Sequence, residues 1–346
     1  MKLLISGYTD TVLLVRVDSE GKMATEKSFP APSRLSFLIQ DPRGPFVYGV
    51  QESPLGLGSI WSFVFPDENS GESRPAGEAP CHLALSPDGK WLAVANYTDG
   101  SVDLYEVTKP GTLGSKPWRA VHEGHGPNIN RQERAHAHGI HFTQDSSRFF
   151  VCDLGIDSVV SYPIPPTVAP DEGRMQGSSD IKAQAGDGPR HIVFNTSETR
   201  AYLVHELSSM VEVYSYERAD GTFTLLHRYS TLPSQAADPA NTAAEIALHP
   251  SGKFLYVSNR GHNSLGCFQI DPATGALGEG VHFSTQGKIP RHFFFDSTGT
   301  FLFVANQGSD EVRPFLVNQS TGALTWTGSK IDAVQPTCGL ELRNIE

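Results

Sequence analysis

The densest polar stretch of the 346-residue chain is Arg131-Gln132-Glu133-Arg134-Ala135-His136-Ala137-His138-Gly139-Ile140-His141. His136 and His138 are two residues apart, so on an extended strand they share a face. Such a pair is half of a metal site, but no equally placed third ligand and no H-E-x-x-H accompanies it, and no metal is expected. The other residues suited to chemistry are Arg190, Arg260 and Arg291, with Glu206 and Glu52. An arginine fork takes a carboxylate or phosphate through two parallel hydrogen bonds. Three arginines with Glu206 and His138 therefore suit a small anionic molecule. Other chemistries lack their signatures. There is no G-x-S-x-G, no phosphate-binding G-x-x-x-x-G-K-[ST] and no dinucleotide fingerprint, so no cofactor is expected.

These residues are far apart in sequence, and a repeat must gather them. Its clearest copy runs from Cys81 through Ser86-Pro87-Asp88-Gly89-Lys90 to Trp91-Leu92-Ala93-Val94-Ala95-Asn96. Others run from Glu245 to Asn259 and from His292 to Asn306, with weaker copies near Ser36, His138 and Arg190. The polar residue ending each apolar strand marks the period: Gln51, Asn96, Asp153, His205, Asn259 and Asn306. The steps are 45, 57, 52, 54 and 47 residues, averaging 51, as for a four-stranded propeller blade. Two positions of the repeat change type from copy to copy, which a purely structural position would not. One opens the innermost strand: Cys81, His138, Arg190, Ala244, Arg291 and Thr337. The other follows the marker: Tyr8, Glu52, Tyr97, Leu154, Glu206, Arg260 and Gln307. In a propeller both columns face the axial channel. His136, Arg291, Gln307 and Glu52 are the expected substrate contacts, and Tyr97, Trp61 and Phe294 are read as packing residues.

The period divides the chain into seven units, the seventh split. Pro336–Leu342 reads as a first strand with nothing after it, and Leu3–Tyr8 and Thr11–Val17 as the strands it lacks. Joining them closes a ring and removes free sheet edges. The expectation is an all-β, seven-bladed β-propeller forming one domain over residues 1–346, its ring closed by a blade shared between the termini. Long excursions at Lys109–Arg134, Pro163–Gly188 and Leu232–Thr242 are expected to cover one face and shape a site.

Composition narrows the partners. With 38% hydrophobic and 19% charged residues a core can form, and a net charge of −11 makes a poor nucleic-acid binder. No apolar run approaches the roughly 20 residues that span a bilayer. The first residues lead straight into a strand pattern, unlike a signal peptide. The cysteines Cys81, Cys152, Cys267 and Cys338 are scattered, without C-x-x-C, the pattern of a cytoplasmic protein with free thiols.

These stretches resemble the seven-bladed propeller lactonases, which include the bacterial propeller-type 6-phosphogluconolactonases and the fungal 3-carboxy-cis,cis-muconate cyclase. The likeness covers nearly the whole chain. It is most specific in Arg131-Gln132 leading to His136-Ala137-His138, in Cys152–Asp157, in Gly188-Pro189-Arg190-His191, and in Glu245–Asn263. It continues in Pro290-Arg291-His292 and Val304-Ala305-Asn306-Gln307, and it is closer to the phosphogluconolactonases. The cyclase's channel set of His, Arg, Glu and Arg falls on His138, Arg190, Glu206 and Arg260. The resemblance implies a lactone hydrolase for an anionic sugar lactone. Glu206 or His138 would act as base on the attacking water, Arg190 or Arg260 would stabilise the oxyanion, and the other cations would bind the anionic group. The alternative is the cyclase reaction, in which a substrate carboxylate adds to a double bond. A third reading, from another class, is a non-catalytic interaction platform; the charged columns argue against it.

Overall fold

The computed structural model describes residues 1–53, 56–65, 71–164, 175–236 and 240–343. The chain forms two compact units: Met1–Ala31 with His191–Leu342, and Pro32–Arg190 with Arg343. Among the described residues the strands fall into seven antiparallel sheets, and the one helical segment is the short 3-10 turn Gln307–Ser309. The first unit holds the sheets of Lys2–Gly7, of Phe254–Arg260 and of Phe301–Asn306, and most of the sheet of Arg200–His205. The second holds those of Phe46–Gln51, Trp91–Asn96 and Arg148–Asp153.

Within each sheet the strands are neighbours in chain order, as short hairpin connections dictate. One sheet differs in the expected way. Its order is Met23–Pro30, Thr11–Val17, Lys2–Gly7 and then Pro336–Glu341, with Leu3 opposite Glu341 and Ser6 opposite Cys338. The split seventh unit is thus assembled from both ends of the chain.

The second strands read as unbroken apolar runs because both their faces are covered. Along Phe301–Asn306 every residue is buried. Phe301, Phe303 and Ala305 pack with Leu3, Ile5 and Val312, while Leu302 and Val304 pack with Phe254, Tyr256 and Phe293. The period-two alternation of a strand here separates two cores rather than core from water. Ala93, Ala95, Phe149 and Val151 build the equivalent layer in the second unit. Burying such a side chain contributes roughly 1.5–3 kcal/mol, so these layers dominate stability.

Two turns recur. Pro-x-Gly turns close the first hairpin, with Gly89 and Gly252 at φ 71° and 70°, a conformation that costs glycine nothing. The second hairpin turns on a left-handed residue four places after the marker: Gly100, Asp157, Ser209, Asn263 and Asp310. Asn and Asp tolerate that region by bonding their own backbone.

The excursions need correction. Lys109–Arg134 contains Thr112–Leu113 and Trp118–Val121, which pair with Ser101–Lys109, and Pro163–Gly188 contains Ser178–Lys182, which pairs with Ser158–Pro163. These are outer strands of their sheets. Edge strands of two, four and five residues are too short to show the apolar alternation that marks a strand in sequence. Residues 165–174 and 237–239, within two of the excursions, lie outside the described residues.

Candidate active site

The first column coincides with a backbone irregularity. In six sheets the register between first and second strands slips by one residue. The slip falls at Ser36, Cys81 and His138 in the second unit and at Ala244, Arg291 and Thr337 in the first. Each is a β-bulge, where two residues oppose one and strict alternation is broken. The bulge re-aims the side chain at the column position, whatever its type.

The second column is fastened to the first. Tyr8, Glu52, Tyr97, Leu154 and Gln307 each donate their backbone N–H to a carbonyl two residues before the bulge of their own sheet. The acceptors are Gln335, Arg34, Ala79, His136 and Ile289, at 2.9–3.1 Å. Four of these acceptor residues have left-handed backbones, with φ 61° at Arg34, 50° at Ala79, 54° at Ile289 and 39° at Gln335. For a β-branched residue such as Ile289 this is a true outlier, and such strain collects where function demands a fixed geometry.

In the second unit, His136 and His138 both border Tyr97. His136 stacks on its ring with centroids 4.4 Å apart, and His138 meets it edge-on at 5.9 Å. His136 Nδ1 donates to the Tyr97 carbonyl at 2.7 Å, and its Nε2 lies 3.2 Å from a Glu133 carboxylate oxygen. Both ring nitrogens thus face oxygen atoms. Burial opposes ionisation of Glu133, but the His136 hydrogen bond, a backbone N–H and the nearby charge of Arg134 together outweigh it and hold the carboxyl below its ordinary value. Desolvation alone pushes His141 down to about 4, so that imidazole is neutral at pH 7. Arg190 is buried, and its charge opposes the burial and the Asp153 carboxylate that push the Cys152 thiol up. Glu52 is half-buried, and its carbonyl accepts from Arg34 Nε at 3.0 Å. Tyr97 packs against both imidazoles, and its hydroxyl accepts from Arg131 Nη2 at 3.3 Å.

In the first unit, Arg260 and Glu206 form an ion pair at 2.8 Å, their side chains only 13% and 4% exposed. Both are tied to one residue. Arg260 Nη2 donates to the Ala243 carbonyl at 3.0 Å, and the Ala243 N–H donates to the Glu206 carbonyl at 3.1 Å. Arg291 lies over the Tyr8 ring, 5.5 Å from its centroid, a cation–π contact. Gln307 opens the 3-10 turn. Phe294 stacks on Phe303 at 5.2 Å, a packing role.

Sequence reasoning missed a group one step beyond the bulges. His191 Nδ1 donates to Glu245 Oε1 at 2.9 Å, and the other oxygen of Glu245 lies 3.8 Å from His292 Nε2; all three residues are buried. The missed signal was the column beside the first one: Phe37, His82, Gly139, His191, Glu245, His292 and Cys338.

The family model "Lactonase, 7-bladed beta-propeller" matches residues 2–340. The chain is 30% identical over 299 residues to a 6-phosphogluconolactonase of Bacillus subtilis, covering 84% of this chain and 83% of that one. It is 34% identical over 270 residues to a 6-phosphogluconolactonase of Formosa agariphila, covering 75% of each. Among solved structures, the periplasmic gluconolactonase of Pseudomonas aeruginosa superposes with a TM-score of 0.85 at 28% identity, covering 98% of both chains. The chain belongs to the seven-bladed β-propeller lactonase family, hydrolases of cyclic esters, and its seven sheets are the blades of that fold.

Proposed function

We propose that this protein hydrolyses the ring ester of an anionic sugar lactone, a phosphorylated gluconolactone, with His138, Arg190, Glu206 and Arg260 as its catalytic residues. The observation that carries the reading is the identity of 30% across 84% of the chain to a protein named 6-phosphogluconolactonase. The buried Arg190, the half-buried Arg260, and Arg291 on Tyr8, support an anionic substrate. His138 takes the proton of the attacking water. Glu206, whose carboxylate is paired with Arg260, is a poorer base than a free carboxylate and serves to aim the guanidinium. Arg260 or Arg190 stabilises the oxyanion, which is worth on the order of 3–4 kcal/mol per well-placed donor. Arg291, with His136, Gln307 and Glu52, binds the rest of the substrate. A cytoplasmic location accords with four buried cysteines, all of them free thiols.

The test follows proton release at neutral pH with 6-phosphogluconolactone, unphosphorylated gluconolactone and 3-carboxy-cis,cis-muconate. Acceleration above the spontaneous rate, greatest for the phosphorylated lactone, is expected. Turnover of the muconate alone would replace hydrolysis by cyclisation. No acceleration of any substrate would leave a binding platform.

A further inference from the structure

Three first-column residues are reached through the same short path: Gly188-Pro189-Arg190, Ile289-Pro290-Arg291 and Gln335-Pro336-Thr337. In each, the backbone two residues before the column is left-handed, with φ 67° at Gly188, 54° at Ile289 and 39° at Gln335. Its N–H donates to the side chain of the left-handed hairpin residue that comes before it in the chain. Gly188 donates to Asp157 Oδ1, Ile289 to Asn263 Oδ1 and Gln335 to Asp310 Oδ1, each at 2.8 Å. The proline that follows has its φ locked near −65°. Few soft torsions therefore separate the tie from the column residue, and the tie sets where that residue stands.

The tie at Asp157 differs from its two counterparts. Asn263 is half-buried and Asp310 exposed, and each accepts one N–H. Water replaces a lost acceptor at such places. Asp157 is only 6% exposed and accepts three hydrogen bonds. Besides Gly188 it takes the N–H of Gly186 and Nε2 of the fully buried Gln132, both at 2.8 Å. Gln132 Nε2 also donates to the Leu154 carbonyl at 2.9 Å, and the Asp157 carbonyl accepts from the Ala183 N–H. The carboxylate is thus fixed from two sides before it fixes Gly188. Removing it strands buried donors, and the chain must shift to satisfy them.

We propose that Asp157 is a positioning residue for Arg190. This inference rests on the lactonase reading. The approach to His138 is held by a different group. The hairpin residue before it is Gly100, which has no side chain, and the N–H of His136 donates instead to Asp153 Oδ1 at 2.8 Å. Asp157 therefore acts on the arginine, and Asp153 on the histidine segment. Arg190 is buried, so its guanidinium has little freedom to recover if its backbone moves.

The experiment measures kcat, KM and melting curves of the full chain on 6-phosphogluconolactone. The variants are Asp157→Gly, Asp157→Asn, Asp310→Gly, Arg190→Ala and Asp157→Gly combined with Arg190→Ala. Glycine keeps the left-handed backbone and removes only the side chain. A catalytic group displaced by about 1 Å can cost on the order of 10²-fold. We expect Asp157→Gly to lower kcat by about 30-fold or more with KM within about threefold. Asp310→Gly loses the same kind of tie ahead of uncharged Thr337, and its kcat should stay within about threefold of the parent. Asp157→Asn keeps an acceptor oxygen, as Asn263 does, and should recover most of the rate lost in Asp157→Gly. With Arg190 already removed, Asp157→Gly should change kcat by less than about threefold, because it acts through that residue.

A role in the turn alone would lower the melting temperature of both glycine variants and spare kcat. Four results overturn the proposal: a folded Asp157→Gly with kcat within about threefold of the parent, an equal loss in Asp310→Gly, no recovery in Asp157→Asn, or a loss that persists without Arg190. If Asp157→Gly does not fold, Asp157→Ser decides by the same criteria, since serine holds the equivalent left-handed turn at position 209. A parent protein without lactone turnover sinks the functional reading instead, so the two failures are distinct.

Discussion

At Arg260, stability and chemistry meet in one contact. The guanidinium is 2.8 Å from the Glu206 carboxylate, and both side chains are largely out of water. Removing one partner strands the other's charge, at a cost of roughly 3 kcal/mol. Arg260→Ala is therefore expected to lower the urea midpoint as well as to cut kcat/KM by about 10²–10³-fold. Replacing both partners, as Glu206→Gln with Arg260→Met, should recover most of the stability and none of the activity. Urea unfolding beside lactone kinetics reads both, and activity in the double variant would remove the pair from the mechanism. The residue types of this pair were legible in sequence as column members. Their contact was not, because it depends on how the second strand's end meets the neighbouring sheet's first strand.

The bulge, with its backbone tie, is the element that turns a repeat into a site. It recurs whether the column residue is serine, cysteine, alanine or arginine, so it belongs to the scaffold and leaves the side chain open to specialise. Its strain can be measured. Ile289 is partly exposed and sits at φ 54°, where a β-branched residue costs about 1–2 kcal/mol. Ile289→Gly should raise the unfolding free energy by about 1 kcal/mol, as read by denaturant titration. A loss of stability would mean that the side chain's packing outweighs the backbone strain. The column positions could be read from the repeat, since the period aligns them. The bulges could not, because no residue type marks a slip that the pairing partner imposes.

At the scale of the whole molecule, both chain ends meet in one sheet. Without Pro336–Glu341 the strand Lys2–Gly7 becomes a free edge beside buried Leu3 and Ile5. A chain ending at Val334 should lose its cooperative melting transition and scatter light on heating, whereas an unchanged melt would show the closing strand to be dispensable. Acid should act through buried carboxylates. Burial would raise the pKa of Asp41, Glu212 and Glu311, but hydrogen bonds and charge attraction from Arg43, from His205, Tyr214 and Arg228, and from Arg313, Ser309 and Lys330 together outweigh it and hold all three low. Groups lowered in the folded state stabilise it fully above their unfolded values, near 4, and lose that contribution as pH falls further. Alkali acts through tyrosines. Burial pushes Tyr48 and Tyr202 up to about 12, so their contribution is lost as pH rises from 10 toward 12. His141, held down to about 4 by burial, loses its contribution as pH falls below its unfolded value near 6.5. Melting temperature against pH should therefore be flat from about 7 to 9 and fall on both sides. A steep change within that window would contradict this.

The amino-acid sequence determined the repeat, the number of sheets and the pairing of the two ends. These follow from local alternation of apolar residues and from turn residues, which each segment carries for itself. It also determined which residue types stand at the two columns. Tertiary structure alone decided that short polar segments such as Ser178–Lys182 complete their sheets as edge strands, since an edge is held by its neighbour and not by its own composition. It alone decided that Arg260 is matched to Glu206, and that Glu245 reaches His191. Such partnerships join residues more than 50 positions apart, and only the packing of one sheet against the next brings their charges within bonding distance.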